Sequence, residues 1–280
     1  MAEVKTYEPD NSLKKGYLQI FREIVQEVKT NKWLIYQLFR RDFLTGYRQS
    51  LFGLLWAIII PVVSVFTILV LNQSGLFNLG SVSVAYPVYA LFGLAFWQLF
   101  STGILAGSNS LSQAGYLITK INFSKKALVI ASMGKTMVAF LIQLALAIAS
   151  FAVYAFAPKI WILLIPLFIT PLVLLTLGLA FILSILNGIL RDFGNLLPVL
   201  TTFLLFATPV MYAKPTIGPL AEINRYNPLY YLIAVPRDLI LVGSSTEWVG
   251  FLLSTVLASV VFVVSLVVFH LTETRLAERI

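Results

Sequence analysis

The chain has 280 residues, 59% hydrophobic and 11% charged, where a soluble globular domain runs at roughly 45–50% apolar and ~25% charged. That excludes an ordinary water-soluble protein and a disordered chain alike. No Asp, Glu, Lys, Arg or His occurs between Gln49 and Thr119, and an uncharged apolar stretch of about 18 residues already reads as a membrane span.

The formal charge is +8, and nine of the 20 Lys and Arg residues precede Leu51. In a soluble domain such a balance would point to nucleic acid. Here the basic residues lie outside the apolar runs, so membrane lipids with anionic headgroups and the positive-inside rule explain them, and nucleic acid is not an expected partner. The chain contains no Cys, which removes disulfides, thiolate nucleophiles and Cys-ligated metals. The first sixteen residues are polar, and no cleaved signal peptide is expected.

After a polar tail over residues 1–12, Tyr17, Phe21, Ile24, Val25 and Val28 recur at helical spacing opposite Arg22, Glu23, Gln26 and Glu27. This predicts an amphipathic helix over 17–29 that lies in the membrane surface. A more apolar piece from Trp33 to Phe43 ends on Arg40-Arg41-Asp42. Spanning about 30 Å of hydrocarbon takes ~20 helical residues. Six runs qualify, at 51–72, 86–108, 128–157, 160–186, 195–213 and 248–270. The expected fold is therefore an all-α membrane protein with six transmembrane helices. Residues 1–50 form an N-terminal tail and interface helix, 51–270 the membrane domain, and 271–280 a C-terminal tail.

Two connections stand out. Residues 109–127 are polar and carry Lys120, Lys125 and Lys126. Residues 214–247 hold Pro215, Pro219, Pro228 and Pro236 and are less polar than a normal loop, which predicts re-entrant helices between spans five and six. With the N-terminus inside, the basic residues divide 16 inside to 4 outside, so both termini are expected to be cytoplasmic.

Catalysis and ion coupling in a bilayer use ionisable groups at depth, and the expected spans hold almost none. Lys135 and His270 lie near span ends, where snorkelling accounts for them. A single His removes Ser-His-Asp, His-rich zinc and H-E-x-x-H arrangements. Gly134-Lys135-Thr136 carries the last letters of a P-loop, yet Val129 stands where its first Gly belongs. No strand precedes it, so no ATP site is expected. Gly103 and Gly107 form a G-x-x-x-G match that serves either packing within the chain or a dimer contact. The chain is expected to be no enzyme, with no catalytic or metal-ligating residue and no cofactor of its own.

Several ordered pieces carry a resemblance: Arg40-Arg41-Asp42, Tyr47-Arg48-Gln49-Ser50, Gly53, Trp56 and Pro61; Tyr86-Pro87 with Gly93 and Trp97; Asn109-Ser110 and Leu117-Ile118-Thr119-Lys120-Ile121-Asn122-Phe123; Asn187-Gly188 with Arg191-Asp192; Thr208-Pro209-Val210-Met211-Tyr212; Asn227-Pro228-Leu229; and Thr274-Arg275-Leu276-Ala277-Glu278. Together they resemble the ABC-2 type permeases that export bacterial cell-surface polysaccharides. The departures are Ser124, where the family commonly has Pro, and Gly46, where it commonly has a basic residue.

The resemblance implies a transport subunit of the bacterial cytoplasmic membrane. It would pair with a second copy of itself and with two nucleotide-binding subunits that use ATP and Mg. The cargo would be a lipid-linked polysaccharide, O-antigen first because of the tail around Arg275, with teichoic acid and capsule as alternatives. Gly115 to Phe123, including Tyr116, Leu117 and Lys120, would be the helix that couples to the ATPase. An exporter of small hydrophobic drugs or lipids is the runner-up, and a membrane-embedded glycosyl or lipid transferase is the rival of another class.

Sugars have apolar C–H faces that stack on aromatic rings. Phe52 and Trp56, and then Phe92, Phe96 and Phe100, recur every four residues, so each set shares a helix face. With Tyr89 and Trp97 they are candidates to line a conduit, helix or lipid contact being the other use of such rings. In the outer segment Arg225, Tyr226 and Arg237 are candidates to line an exit, the two arginines meeting anionic substrate or lipid phosphate.

Overall fold

The computed structural model describes residues 17–48, 53–74, 82, 84–115, 117, 123–190 and 192–276. Ten α-helices are traced among these residues: α1 (Tyr17–Thr30), α2 (Lys32–Arg48), α3 (Trp56–Gln73), α4 (Tyr86–Gln113), α5 (Lys126–Val153), α6 (Ile165–Ile189), α7 (Asp192–Ala207), α8 (Pro219–Tyr226), α9 (Pro228–Leu241) and α10 (Trp248–Leu276). Short 3₁₀ turns over Gly53–Leu55 and Ile160–Leu164 lead into α3 and α6. Proline stands in the first turn of α4, α6, α8 and α9, where its missing N–H would have no intrahelical partner anyway. The side chain of Asn227 accepts from the Leu229 N–H at 3.0 Å and so caps α9 directly after α8 ends.

The expected helix over 17–29 is present as α1. It buries Ile20 and Ile24 on one face and exposes Phe21, Arg22, Gln26 and Lys29 on the other. Four stretches are long and apolar enough to cross a membrane: Tyr86–Gln113, Lys126–Val153, Ile160–Ile189 and Trp248–Glu273. The other two expected spans are shorter, Trp56–Leu71 and Asp192–Ala207. The second, at 1.5 Å per residue, covers about 24 Å. The run expected over 195–213 begins earlier and stops at Ala207 because Pro209 disfavours helix at Thr208 and donates no N–H of its own. The run expected over 128–157 also stops early, at Val153, and Ala155 turns the chain with φ 48°.

α4 is the central helix. Val88, Phe92, Ala95, Phe96 and Leu99 are buried on its several faces, and it packs chiefly against α5 and α6. α10 packs on the far side of α6, α2 on α5, and α9 across the ends of α4, α6 and α10. The Gly103 and Gly107 pair lets α6 approach α4: a Cβ on Gly103 would come within 2.5 Å of Thr176 Cγ2, and one on Gly107 within 2.4 Å of Ala180 Cβ. Packing within the chain is thus where this motif is used. Gly134 to Thr136 lie inside α5, where the Phe39 ring of α2 packs on Gly134. The P-loop letters therefore sit in continuous helix.

Gly107→Val should force α6 away from α4 at a cost of about 1–3 kcal/mol, the range for overpacking. The expected outcome is a lower thermal-unfolding midpoint in detergent with the oligomeric state of the folded fraction unchanged. A changed oligomeric state at an unchanged midpoint would contradict this assignment.

Candidate functional site

Two clusters of buried charged and amide side chains lie near the two ends of the bundle. At the α9 end lies Arg237, 2% exposed. Its Nη1 donates to the carbonyls of Val210 at 2.9 Å and Pro209 at 3.3 Å, and its Nε donates to Asp238 at 3.2 Å. The guanidinium also lies over the Tyr89 ring, 3.8 Å from its centre. Two carbonyls freed by the break after α7 thus find a donor, and Tyr89 donates its hydroxyl to the Tyr212 carbonyl at 3.2 Å. A Cβ on Gly93 would collide with Val210 O, so α4 meets this turn backbone to side. Nε and Nη1 of Arg237 are engaged in these contacts, which hold the buried guanidinium against α4 and the turn after α7.

Arg225 and Tyr226 are exposed, Tyr226 at 78%. Arg225 sits on the rim of an open groove of about 610 Å³ with Lys214, Thr216, Glu222, Tyr231 and Glu247. Lys214 and Glu247 form an ion pair across it, and Tyr231 donates to the Arg225 carbonyl at 2.8 Å.

A second polar joint lies near the opposite end. The buried Asn187 amide of α6 donates to the Ser108 carbonyl at 3.1 Å and to Asn109 Oδ1 at 2.9 Å, and its own Oδ1 accepts from the Gly194 N–H at 2.9 Å. Three helices, α4, α6 and α7, are joined at one side chain. Nearby, Lys126 at the start of α5 is fully buried and donates to Glu27 of α1 at 2.7 Å, Glu273 of α10 at 2.8 Å and Ser124 at 3.3 Å. His270 of α10 lies 3.8 Å from Glu27 and 3.9 Å from Glu23. Glu27, His270 and Glu273 bring three ligand atoms within 4.8 Å of one another, a set of the kind that binds a divalent cation, with the Lys126 ammonium seated on both carboxylates.

The aromatic candidates divide by placement. Phe52 lies outside the described residues. Trp56 opens α3 and is 46% exposed. Tyr89, Phe92, Phe96, Trp97 and Phe100 are buried inside the chain. Phe92 stacks on Phe151 at 5.3 Å, Phe96 meets Phe140 edge-on at 5.8 Å, and Trp97 lies against Phe100 at 5.6 Å. Helix packing, the other use open to this stripe, is where these rings are engaged. Of the coupling segment, Tyr116 and Lys120 lie outside the described residues. Gly115, Leu117 and Phe123 are half-buried, the last two against the cluster containing Ile24, Leu111 and Phe269.

Sequence reasoning passed over Lys126, Glu27 and Glu273 as members of one site and read Lys126 as one more inner-side cation. The available signal was the rarity of acids: a Glu at the end of an otherwise chargeless span needs a partner.

Long apolar helices with few charged side chains define a multi-pass helical membrane protein. The family model described as ABC-2 type transporter matches residues 34–241, well over half of the chain, and the chain belongs to that family. It is similar to the O-antigen export system permease protein RfbA of Myxococcus xanthus, 28% identical over 198 residues, which cover 69% of this chain and 74% of the relative. Two proteins of that name from Klebsiella pneumoniae are 28% and 27% identical over 244 residues, in each case 85% of this chain and 91% of the relative.

Replacing Arg237 by Met should leave the Pro209 and Val210 carbonyls buried without a donor, at about 1–3 kcal/mol. Lys in its place should restore little, because one ammonium cannot serve both carbonyls, Asp238 and a ring face together. Thermal unfolding of the two variants in nanodiscs checks this, and a Lys variant as stable as the parent would refute it.

Proposed function

We propose that the chain is the membrane subunit of an ATP-driven exporter that carries lipid-linked O-antigen outward across the bacterial cytoplasmic membrane, two copies acting with two ATPase subunits. The observation that carries this reading is its likeness to O-antigen export permeases along 85% of its own length and 91% of theirs. Membership of the ABC-2 family implies an ATPase partner, which supplies the energy.

In this reading all six apolar runs cross the bilayer with both termini inside, as the 16 to 4 division of basic residues favours. α1 lies along the inner membrane surface, and residues 115–123 seat in the ATPase. The short helices α8 and α9 enter the membrane from outside. Their backbone would be satisfied by protein, as irregular chain at that depth requires, and the Arg237 contacts supply part of this. The exit lies beside Arg225 and Tyr226. The conduit forms between the copies along α3 and α7, where Trp56, Phe66, Phe203 and Phe206 are exposed. Rings spaced along such a wall hold the C–H faces of a glycan weakly and repeatedly through their amphipathic faces.

Deleting the gene in its native host should remove O-antigen from the cell surface and cause the lipid-linked polymer to accumulate inside, with return of the gene restoring export. Immunoblots of surface and internal fractions report both. Unchanged surface O-antigen would overturn the proposal. A Trp56→Ala, Phe203→Ala double variant should export several-fold more slowly with normal amounts in the membrane, since neither ring supports the buried core.

A further inference from the structure

Outside the conduit, the least economical arrangement in the molecule is the one around Lys126. A fully buried ammonium holds two carboxylates, from residues 27 and 273, so three stretches remote in sequence meet at one atom. The ratio is informative. A contact kept for stability alone is served as well by apolar side chains of similar volume, and a surplus carboxylate away from water opposes burial. The Lys125 side chain and the His270 imidazole lie close by, yet Lys126 alone bonds both acids.

Its position in the chain is the second observation. Lys126 follows the 115–123 segment within three residues, and Ser124, the first residue after that segment, bonds the same Nζ. α1 is otherwise lightly attached: Ile20 and Ile24 are its only buried apolar side chains among those described. The directional bond from Lys126 to Glu27 therefore fixes where α1 stands, and the bond to Glu273 fixes the end of the last membrane helix to the same point.

We infer that Lys126 is a positioning residue that locks α1, the exit of the 115–123 segment and the end of α10 into one moving unit, so that displacement at the ATPase reaches α10 directly. This rests on the proposed role as an ATPase-driven permease. Rigid transfer of this kind needs links that hold their geometry through the stroke, and bonds of 2.7 and 2.8 Å from one ammonium to two helices meet that need where non-directional apolar contact does not.

The test uses the complex isolated through a tag on this chain and placed in nanodiscs. The chain has no Cys, so Gln26→Cys and Val268→Cys place one spin label each on α1 and α10, in complexes that carry the labels on one of the two copies and whose ATPase subunits have their cysteines replaced. The parent should show one narrow distance within that copy with and without a non-hydrolysable ATP analogue. The triple variant Glu27→Gln, Lys126→Met, Glu273→Gln leaves none of the three carrying a lone buried charge. It should broaden that distance and lower export of lipid-linked O-antigen at least about tenfold while ATP hydrolysis stays within about twofold, a loss within the usual range of coupling between sites. Lys126→Arg keeps both ion pairs and should export near the parental rate, which a purely steric role for the lysine would not allow.

The inference is overturned if the triple variant exports like the parent, if its label distance stays narrow, or if Lys126→Arg fails as badly as the triple while folding normally. A parent complex that hydrolyses ATP but moves no O-antigen would sink the transport reading instead, and the spin-label distances would still decide the link between α1 and α10.

Discussion

A bilayer core offers no water to a backbone amide, so every N–H and C=O at that depth must find its partner within protein. This constraint shapes the whole chain. It selects helices and lets charge survive only at their ends. It also turns each helix break into a demand for a partner. The break after α7 shows the consequence: Pro209 stops the helix, two carbonyls lose their partners, and a buried arginine from α9 supplies them. At the break between α6 and α7 the need is the reverse, and Oδ1 of Asn187 accepts from the free Gly194 N–H.

With hydrophobic burial between lipid and helix nearly neutral, packing has to come from close approach and from polar joints. α4 lies at the centre because its small residues admit α6 to contact along Gly103 and Gly107, while its phenylalanines fill the space toward α5. Large rings and bare glycines on one helix thus perform a single task. The shorter helices α3 and α7 leave their aromatic rings uncovered, and the proposed pathway follows that surface rather than the α4 stripe.

Charge is placed by the same logic at both ends. Near α9, Arg237 is locked into a structural knot, whereas Arg225 stays on the groove rim with its head exposed. At the opposite end Lys126 gathers an acid from the first and the last helices. Each buried cation joins segments that the sequence separates widely.

The helical class, the amphipathic α1, the positions of most apolar runs and the resemblance to polysaccharide-exporting permeases were all legible in the chain. They rest on local properties: hydropathy over ~20 residues, period 3.6, and proline at helix starts. Span ends were read less well where one residue decides the matter, as at Pro209. The roles of Arg237, Lys126 and the Phe92, Phe96, Phe100 stripe were beyond reach, because periodicity shows that residues share a face and never what the face meets. The sequence by itself determined which segments leave water and which end of each carries charge, since both follow from composition along a short window. Tertiary structure alone decided which rings are covered and which cation holds which acid, because those outcomes depend on contacts between residues remote in sequence, such as Glu27 and Lys126, 99 positions apart, or Tyr89 and Arg237.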